Sequence, residues 1–388
     1  MKVIVLTHSF PRFSGDAPGS FILRLAVALM ERGIESHVLA PAASGYPREE
    51  VIEGIAVERF RYAPRRWETL AYTGNMAGAV AGSLTGKTAL AGYLAAGSAA
   101  SIAMARRLRP HIVHAHWWFP SALTARFACA VSGAPLVTTM HGTDLRMARL
   151  VKASRPFLRS VVHASAQITT VSGWLASELT ALVPEADPVV APMPVATERF
   201  APGGRREAAR FLFAGRLNEQ KGLRHLLKAF AAMTRPAMLD IVGEGPDGES
   251  LRVLASQLGV SDRVIWKGQI SREDLLQSYQ SATALVMPSV GEGLGLVAAE
   301  ALLCETPVIA FRSGGLIDIV KPDVTGSLVE PGDTAALAQA MDSVLESPAR
   351  AAELARAGRR FVLDAFSPDA AARQYAALYE SVVRSERA

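Results

Sequence analysis

The sequence predicts an α/β protein of two doubly wound parallel-sheet domains. Three observations carry that expectation. The chain has 388 residues, which suits about two domains. Short apolar runs alternate with helical patterns in both halves, and strands alternating with helices make a parallel sheet covered on both faces. Between the halves, Pro184 to Arg206 carries five prolines and two adjacent glycines, the composition of a linker. The expected domains are residues 1–195 and 196–365. The last helical pattern, in a segment of about 366–388, has no strand after it and is expected to pack back on the first domain.

The elements follow in order. "KVIVLT" opens as a strand. "SFILRLAVALMERG" has apolar residues at helical spacing and stops at Gly33. "SHVLAP", "IAVERF", "HIVHAH", "PLVTTMHG" and "QITTVSG" read as strands, most of them ending in polar or glycine residues. Within this half, Thr69 to Ala105 has Lys87 as its only charged residue, and six glycines interrupt it. That segment reads either as one or two helices packed in the first domain or as an apolar lip facing lipid or a lipid-like substrate. After the linker, "RFLFAG", "AMLDIVG", "RVIWKG", "ALVMPS" and "PVIAF" read as strands with helices between them. Ligands of such sheets sit at the carboxyl ends of strands, and a cleft between two domains is the default site.

Half the residues are hydrophobic and a fifth are charged, an ordinary globular composition. Cys129 and Cys304 stand in apolar neighbourhoods and read as small buried hydrophobes, not as a disulfide or metal pair. A reducing, cytoplasmic setting is the default. "MKVIVLTHSF" turns polar too soon for a signal peptide. No run of about 18 uninterrupted apolar residues suggests a transmembrane helix. The charge is uneven: residues 1–195 hold 19 Lys and Arg against 12 Asp and Glu, whereas the remainder holds 22 against 24. A basic front half is either a solvated surface or a face for an acidic partner.

"GEGPDG", residues 243–248, fits Gly-x-Gly-x-x-Gly after a strand and before a helix, the layout of a dinucleotide fingerprint. Such a site needs an acid at the end of the next strand to hold a ribose hydroxyl. That strand, "RVIW", ends in Lys267 and Gly268. The motif therefore fails its context. Its glycines can still let backbone pass close to a phosphate ester, and Gly248 suits a plain strand-to-helix turn.

A stronger constellation follows in "PSVGEGLGLVAAEALLCETPVIA". The parse is a loop through Gly293 and a helix from about Gly295. Glu292 then lies before the helix and Glu300 inside it. Free amides of Gly293, Leu294, Gly295 and Leu296 present positive ends to an anion. Carboxylates beside an anion hole suit a ligand that is both polyol and phosphate, such as a nucleotide sugar. Upstream, "FAGRLNEQKGL" places Arg216 just after a strand and Lys221 before a helix, two cations for a diphosphate.

These residues resemble family four of the retaining glycosyltransferases. The resemblance lies in Gly215-Arg216 with Lys221-Gly222, Val242 to Pro246, Glu292 to Glu300, Thr306-Pro307-Val308, Gly314-Gly315, and Thr325 to Asp333. It covers essentially the whole second half and extends more loosely over the first. It implies the GT-B fold, two Rossmann-like domains facing across a cleft, with the acceptor bound by the first domain and the donor by the second. Arg216 and Lys221 would hold the donor diphosphate, Glu300 the ribose and Glu292 the donor sugar. Gly243 would stand near the donor, and the backbone from Gly268 to Ile270 would meet the base. His141, ending a strand in "TTMHGTD", resembles the family's histidine beside the transferred sugar, with Asp144 shaping the loop. His114 and His116 read as cleft lining or packing rather than as a metal pair. The chain has no Asp-x-Asp, so no metal is expected. No cofactor is expected either, since the nucleotide sugar is a co-substrate.

Departures from the family pattern are local. "SGDAPGSF" separates Gly15 and Gly19 where the family often has adjacent glycines against phosphate, and Asp16 and Ala17 take that place. Leu294 replaces a common Phe, Glu305 a Gly and Ile317 a Pro. None removes a charge from the site. The expected activity is retaining transfer of a hexosyl group from a UDP- or GDP-sugar to a glycan or lipid-linked acceptor in cell-envelope polysaccharide or glycolipid synthesis. "ERFRYAPRRWE" and "LRMARLVKASRPFLRS" supply basic residues for an anionic membrane surface, the latter with Arg146, Arg149, Lys152, Arg155 and Arg159 along one side if helical. Nucleic acid is not expected, since no recognition fold is evident. Two other readings stand beside this one, a nucleotide-sugar epimerase of the same fold and a non-catalytic nucleotide-sugar binding protein.

Overall fold

The computed structural model describes residues 1–72, 76–204 and 206–386. Thr73 to Asn75 of the apolar segment, Arg205 of the linker and residues 387–388 of the last helical segment lie outside the described residues. The chain forms two compact units: Met1–Pro194 with Pro368–Ala388, and Val195–Ser367.

The first unit is built on β1 (Lys2–Leu6), β2 (Glu35–Pro41), β3 (Glu49–Ile52), β4 (Ile55–Phe60), β5 (Ile112–His116), β6 (Leu136–Met140), β7 (Gln167–Thr170) and β8 (Pro188–Val190). Their order in the sheet is β3-β4-β2-β1-β5-β6-β7-β8. Pairing is parallel except in the β3–β4 hairpin. Glu53 and Gly54 turn that hairpin with φ of 50° and 84°, the handedness a two-residue turn requires. The chain order reverses between β1 and β5, the place where such sheets bind ligands. The proline-rich segment is not wholly linker. Pro188 opens β8, an edge strand, where a missing N–H costs no ladder bond.

The apolar segment forms helices Met76–Gly82 and Leu84–Leu108. Among the described residues, Leu84–Leu108 is long and apolar enough to cross a membrane by length and composition. Here one stripe of it, through Ala89, Tyr93, Gly97, Ser101 and Met104, is buried in the unit. Ser101 Oγ donates to the Thr124 carbonyl at 3.0 Å, which fixes it against helix Leu123–Ser132.

The second unit holds β9 (Arg210–Ala214), β10 (Met238–Val242), β11 (Val264–Gly268), β12 (Ala284–Met287), β13 (Val308–Phe311) and β14 (Ser327–Val329). All are parallel, in the order β11-β10-β9-β12-β13-β14. This is the Rossmann order, with its switch point between β9 and β12. Phe211, Phe213, Ile241, Val286 and Phe311 of the sheet pack with Leu226, Leu227, Phe230 and Met341 of the flanking helices.

The chain passes between the units after Pro194 and after Ser367. The junction falls one residue before the expected Val195, because Val195 N–H donates to the Phe366 carbonyl at 2.9 Å inside the second unit. Helix Pro368–Ser385 belongs to the first unit and packs on helix Ser20–Met30. Tyr375 and Tyr379 anchor it, both fully buried, and a buried side chain of this size is worth about 3 kcal/mol. Tyr375 also donates to the Ala191 carbonyl at 3.1 Å.

Candidate active site

In the second unit the predicted donor residues gather at the carboxyl edge of the sheet. Arg216 follows β9 and is exposed. A one-turn helix, Glu219–Lys221, is capped by Asn218, whose Oδ1 accepts from Lys221 N–H at 3.2 Å. Gly222 then adopts φ 67°, and a Cβ there would lie 1.9 Å from the Pro288 carbonyl oxygen. Only glycine lets this loop press on the end of β12. Gln220 completes the seam: its carbonyl accepts from Val290 N–H at 2.8 Å, and its Nε2 donates to the Gly291 carbonyl at 3.0 Å.

The result is an ion pair across 71 residues of sequence, with Lys221 Nζ donating to Glu292 Oε1 at 2.5 Å. Both side chains are largely shielded, at 21% and 12% exposure. Shielding strengthens the charge-assisted hydrogen bond and raises the cost of stripping either charge of its partner. A lysine so placed can face an incoming anion while its carboxylate faces hydroxyls.

The Glu292 loop is held from beneath by Gly314-Gly315. Gly315 N–H donates to the Glu292 carbonyl at 2.7 Å, and Ser313 Oγ accepts from Gly291 N–H at 3.0 Å. Gly293 and Leu294 lead to Gly295, which caps helix Leu296–Leu303 in a left-handed conformation. Leu294 is buried and anchors the loop. Inside the helix, Glu300 Oε2 accepts from the hydroxyl of Tyr279 at 3.0 Å. Tyr279 is fully buried, and burial, with the Glu300 carboxylate beside it, pushes its phenol well above the ordinary value. It therefore stays a donor. Nothing in the local pattern of "DLLQSYQSA" marks this tyrosine, because its partner lies 21 residues on.

The glycines of "GEGPDG" have a packing explanation. A Cβ on Gly243 would lie 2.0 Å from the Gly215 carbonyl oxygen, and one on Gly245 would lie 2.2 Å from that of Leu217. Gly243 N–H donates to the Gly268 carbonyl at 2.8 Å. The loops after β9, β10 and β11 are thereby closed on one another. Ile270, half-buried, follows β11 at the same edge, before helix Arg272–Ser281.

In the first unit His141 directly follows β6 and is half-buried. Asp144 shapes its loop: Oδ1 accepts from the N–H groups of His141, Gly142 and Leu145 at 3.2, 2.9 and 3.0 Å. Burial pushes the Asp144 carboxyl up to about 6, against those backbone donors. His116 Nδ1 and His141 Nε2 lie 3.0 Å apart. Trp117 and Phe21 flank the His141 ring, with centroids 4.2 and 5.3 Å away. Phe21 stands in the first turn of helix Ser20–Met30, so Gly19, its cap, is brought to the same edge. Gly19 has φ 69°, and a Cβ there would be 2.2 Å from the Ser9 carbonyl oxygen. Asp16, at the place of the family's glycine pair, is turned to Arg12, with Oδ2 and Oδ1 accepting from Nε and Nη2 at 2.6 and 3.0 Å. Burial works to raise Asp16, and the Arg12 hydrogen bonds outweigh it, so this carboxyl titrates below its usual range. His114 is packing: its Nδ1 and Nε2 lie 2.7 Å from the Tyr379 hydroxyl and from Thr139 Oγ1.

The two basic segments differ from expectation. Arg59 is fully buried, donating to Glu50, to the Tyr72 hydroxyl and to the Pro11 carbonyl. It pins β4 and cannot meet a partner, whereas Arg65 and Arg66 are exposed. The second segment is not one helix. It breaks at Val151 into helix Thr143–Leu150, a one-turn helix Lys152–Ser154 and helix Arg155–Ala164. Arg149 and Arg159 are paired with Glu178 and Glu185. Among the described residues no group of three or more His, Cys, Asp or Glu is placed to hold a metal.

Comparison with known proteins agrees with this architecture. Residues 195–361 match the family described as glycosyl transferases group 1, and residues 17–193 match the glycosyl transferase 4-like domain. The chain is 31% identical to a D-inositol 3-phosphate glycosyltransferase of Actinosynnema mirum, over 86% of this chain and 85% of that protein. It superimposes on a sucrose-phosphate synthase from Thermosynechococcus elongatus with a TM-score of 0.80, at 22% identity over 99% of both chains. Anabaena HepE, solved in complex with UDP-glucose, gives 0.72 at 19% identity, over 98% of this chain and 100% of that one. Two family matches that together span nearly the whole chain, two parallel-sheet units and a relative matched over most of both chains lead to one conclusion: the chain belongs to the family-four, group 1 glycosyltransferases and has their GT-B fold.

Proposed function

We propose that this glycosyltransferase moves a hexosyl group, with retention, from a nucleotide-diphosphate sugar to a glycan or lipid-linked acceptor. UDP is the favoured donor nucleotide and GDP the second. The observation that carries the reading is the cluster at the β9/β12 switch point, where Lys221 meets Glu292 and Tyr279 holds Glu300. A donor of this class needs cations for its diphosphate and carboxylates for its hydroxyls, and the cluster supplies both. HepE, of the same fold, was solved with UDP-glucose, which favours uridine.

In this reading Arg216, Lys221 and the amides of Gly293 to Leu296 stabilise the charge that grows on the leaving diphosphate. Such preorganised groups are often the largest catalytic contribution. The anomeric carbon–oxygen bond to the diphosphate breaks and a bond to the acceptor oxygen forms on the same face. The acceptor proton passes to the leaving phosphate. Glu300 accepts from the ribose, Glu292 from the sugar, and the backbone from Gly268 to Ile270 meets the base. Gly243 and Gly215 form a wall by the donor. In the same reading His141 steadies the transferred sugar and Gly19 lends an amide to phosphate. No metal or cofactor enters the scheme. The place of work is the cytoplasm, at the inner face of the membrane, in envelope polysaccharide or glycolipid synthesis.

The test is a panel of UDP- and GDP-hexoses scored for nucleotide release, with and without lipid extract. Acceptor-dependent release is expected, and Arg216→Ala should lower turnover roughly 10²- to 10³-fold. A free epimerised sugar nucleotide with no acceptor would indicate the epimerase instead. No turnover with tight donor binding would indicate a binding protein. Normal turnover in Arg216→Ala would remove that residue from the scheme.

A further inference from the structure

The carboxyl ends of β5 and β6 hold a histidine pair that the scheme uses only in part. His116 is the last residue of β5 and is fully buried. Its Nδ1 lies 3.0 Å from His141 Nε2, and its own Nε2 is buried with no hydrogen-bond partner among the described residues. The ring is wedged by His114 at 4.3 Å and His141 at 5.2 Å between centroids. His114 is in turn fixed by the Tyr379 hydroxyl and Thr139 Oγ1, each at 2.7 Å. The pair therefore has little freedom to turn.

One proton must lie between two neutral imidazoles at this distance, and two arrangements satisfy it. In the first, His116 Nδ1–H donates to His141 Nε2, and the isolated His116 Nε2 is a bare acceptor. In the second, His141 Nε2–H donates to His116 Nδ1, and the isolated His116 Nε2 carries a buried N–H. Orphaned buried N–H groups are the rarer fault in folded proteins, so the first arrangement wins. With Nε2 of His141 occupied as an acceptor, its proton sits on Nδ1, the nitrogen left for a ligand.

We propose that His116 is a positioning residue that fixes His141 as the Nδ1–H tautomer by donating to its Nε2. His141 then offers a hydrogen-bond donor to its ligand and cannot accept a proton there without becoming a cation. In the reaction proposed above, on which this use of His141 rests, it stabilises a sugar oxygen and is not the base. That agrees with the acceptor proton leaving on the phosphate.

The experiment uses the full chain with histidines labelled with nitrogen-15, and reads the tautomer of His141 from its two ring-nitrogen shifts. His141→Gln assigns the signals. The wild type should show an N–H-type shift at Nδ1 and an acceptor-type shift at Nε2. His116→Phe removes the donor and should move His141 toward the other tautomer. It should also lower kcat roughly ten-fold with little change in KM, less than the 10²- to 10³-fold for deleting a whole donor. His116→Asn, whose side-chain N–H stands near the place of Nδ1–H, should restore both. A wild-type His141 carrying its proton on Nε2 overturns the proposal, and so does a His141 tautomer indifferent to His116→Phe. If that variant fails to fold, the wild-type spectrum decides alone. If the chain forms no glycoside, the spectrum still stands, so failure of the functional reading is told apart from failure of this one.

Discussion

Tyr279 shows how much a single buried hydroxyl can decide. It has one polar task at its ring end, the hydrogen bond to Glu300. Hydrogen bonds to charged groups are worth about 1.5–3 kcal/mol. Losing this one in Tyr279→Phe leaves Glu300 in place but less restrained. The expected outcome is a donor KM raised roughly five- to ten-fold, with kcat changed less, since about 1.4 kcal/mol is a factor of ten. Steady-state kinetics against donor concentration checks it, with thermal unfolding measured alongside. An unchanged KM would detach Glu300 from donor binding. Lys221 and Glu292 were legible as candidates because charged residues beside glycines after parallel strands lie where such sheets bind ligands. Tyr279 was not legible, since a tyrosine on a helix is ordinary core until its partner is known.

At the scale of elements, the ends of β1, β5 and β6 collect imidazoles that the fold keeps neutral. Burial lowers His8 to about 4 and His114 to about 3, and drives His116 and His141 well below the usual value. In the unfolded chain all four titrate near ~6.5. A base with a depressed folded value binds fewer protons folded than unfolded between the two values, so its stability is complete above pH ~6.5 and is lost as pH falls. Each such histidine contributes a slope of about 1.4 kcal/mol per pH unit inside its window. Asp144 runs the other way, because its folded value is raised to about 6, and protonation favours the fold there. One carboxyl does not offset four imidazoles. Urea unfolding of the full chain should therefore show the first unit losing stability between pH 6.5 and 4.5, and His8→Phe should flatten the slope by up to one proton. A flat profile would mean that the rings are open to water. The motif "HIVHAH" gave the positions of His114 and His116 but not this outcome, because neutrality depends on what covers the rings.

On the scale of the whole molecule, the basic first half has a definite apolar face. Leu150, Val151 and Phe157 are exposed to 74%, 50% and 58%, with exposed Lys152 between them. Exposed apolar side chains beside an exposed lysine suit the interface of an anionic bilayer. Full-length protein should float with phosphatidylglycerol vesicles, less at high salt, and Phe157→Asp with Lys152→Glu should abolish flotation. Wild-type protein that stays with the unbound fraction would rule out this face as a membrane contact.

The sequence by itself determined the two-sheet organisation, since alternating apolar runs and helical patterns admit few other packings. It also singled out Arg216, Lys221, Glu292 and Glu300 as candidates for the proposed donor site, because charged residues in the loops and helix starts that follow parallel strands lie at the edge where such sheets bind ligands. Strands β3, β8 and β14 escaped the reading. All three are edge strands, which need no apolar alternation, and β8 and β14 are only three residues long. Only the tertiary structure decided which polar groups meet. It buried Arg59, broke the basic helix at Val151, joined Lys221 to Glu292 and set His116 against His141. Spacing along a chain fixes the face on which a residue lies, but hydrogen bonds between residues far apart in sequence exist only once the sheet order brings their strand ends together.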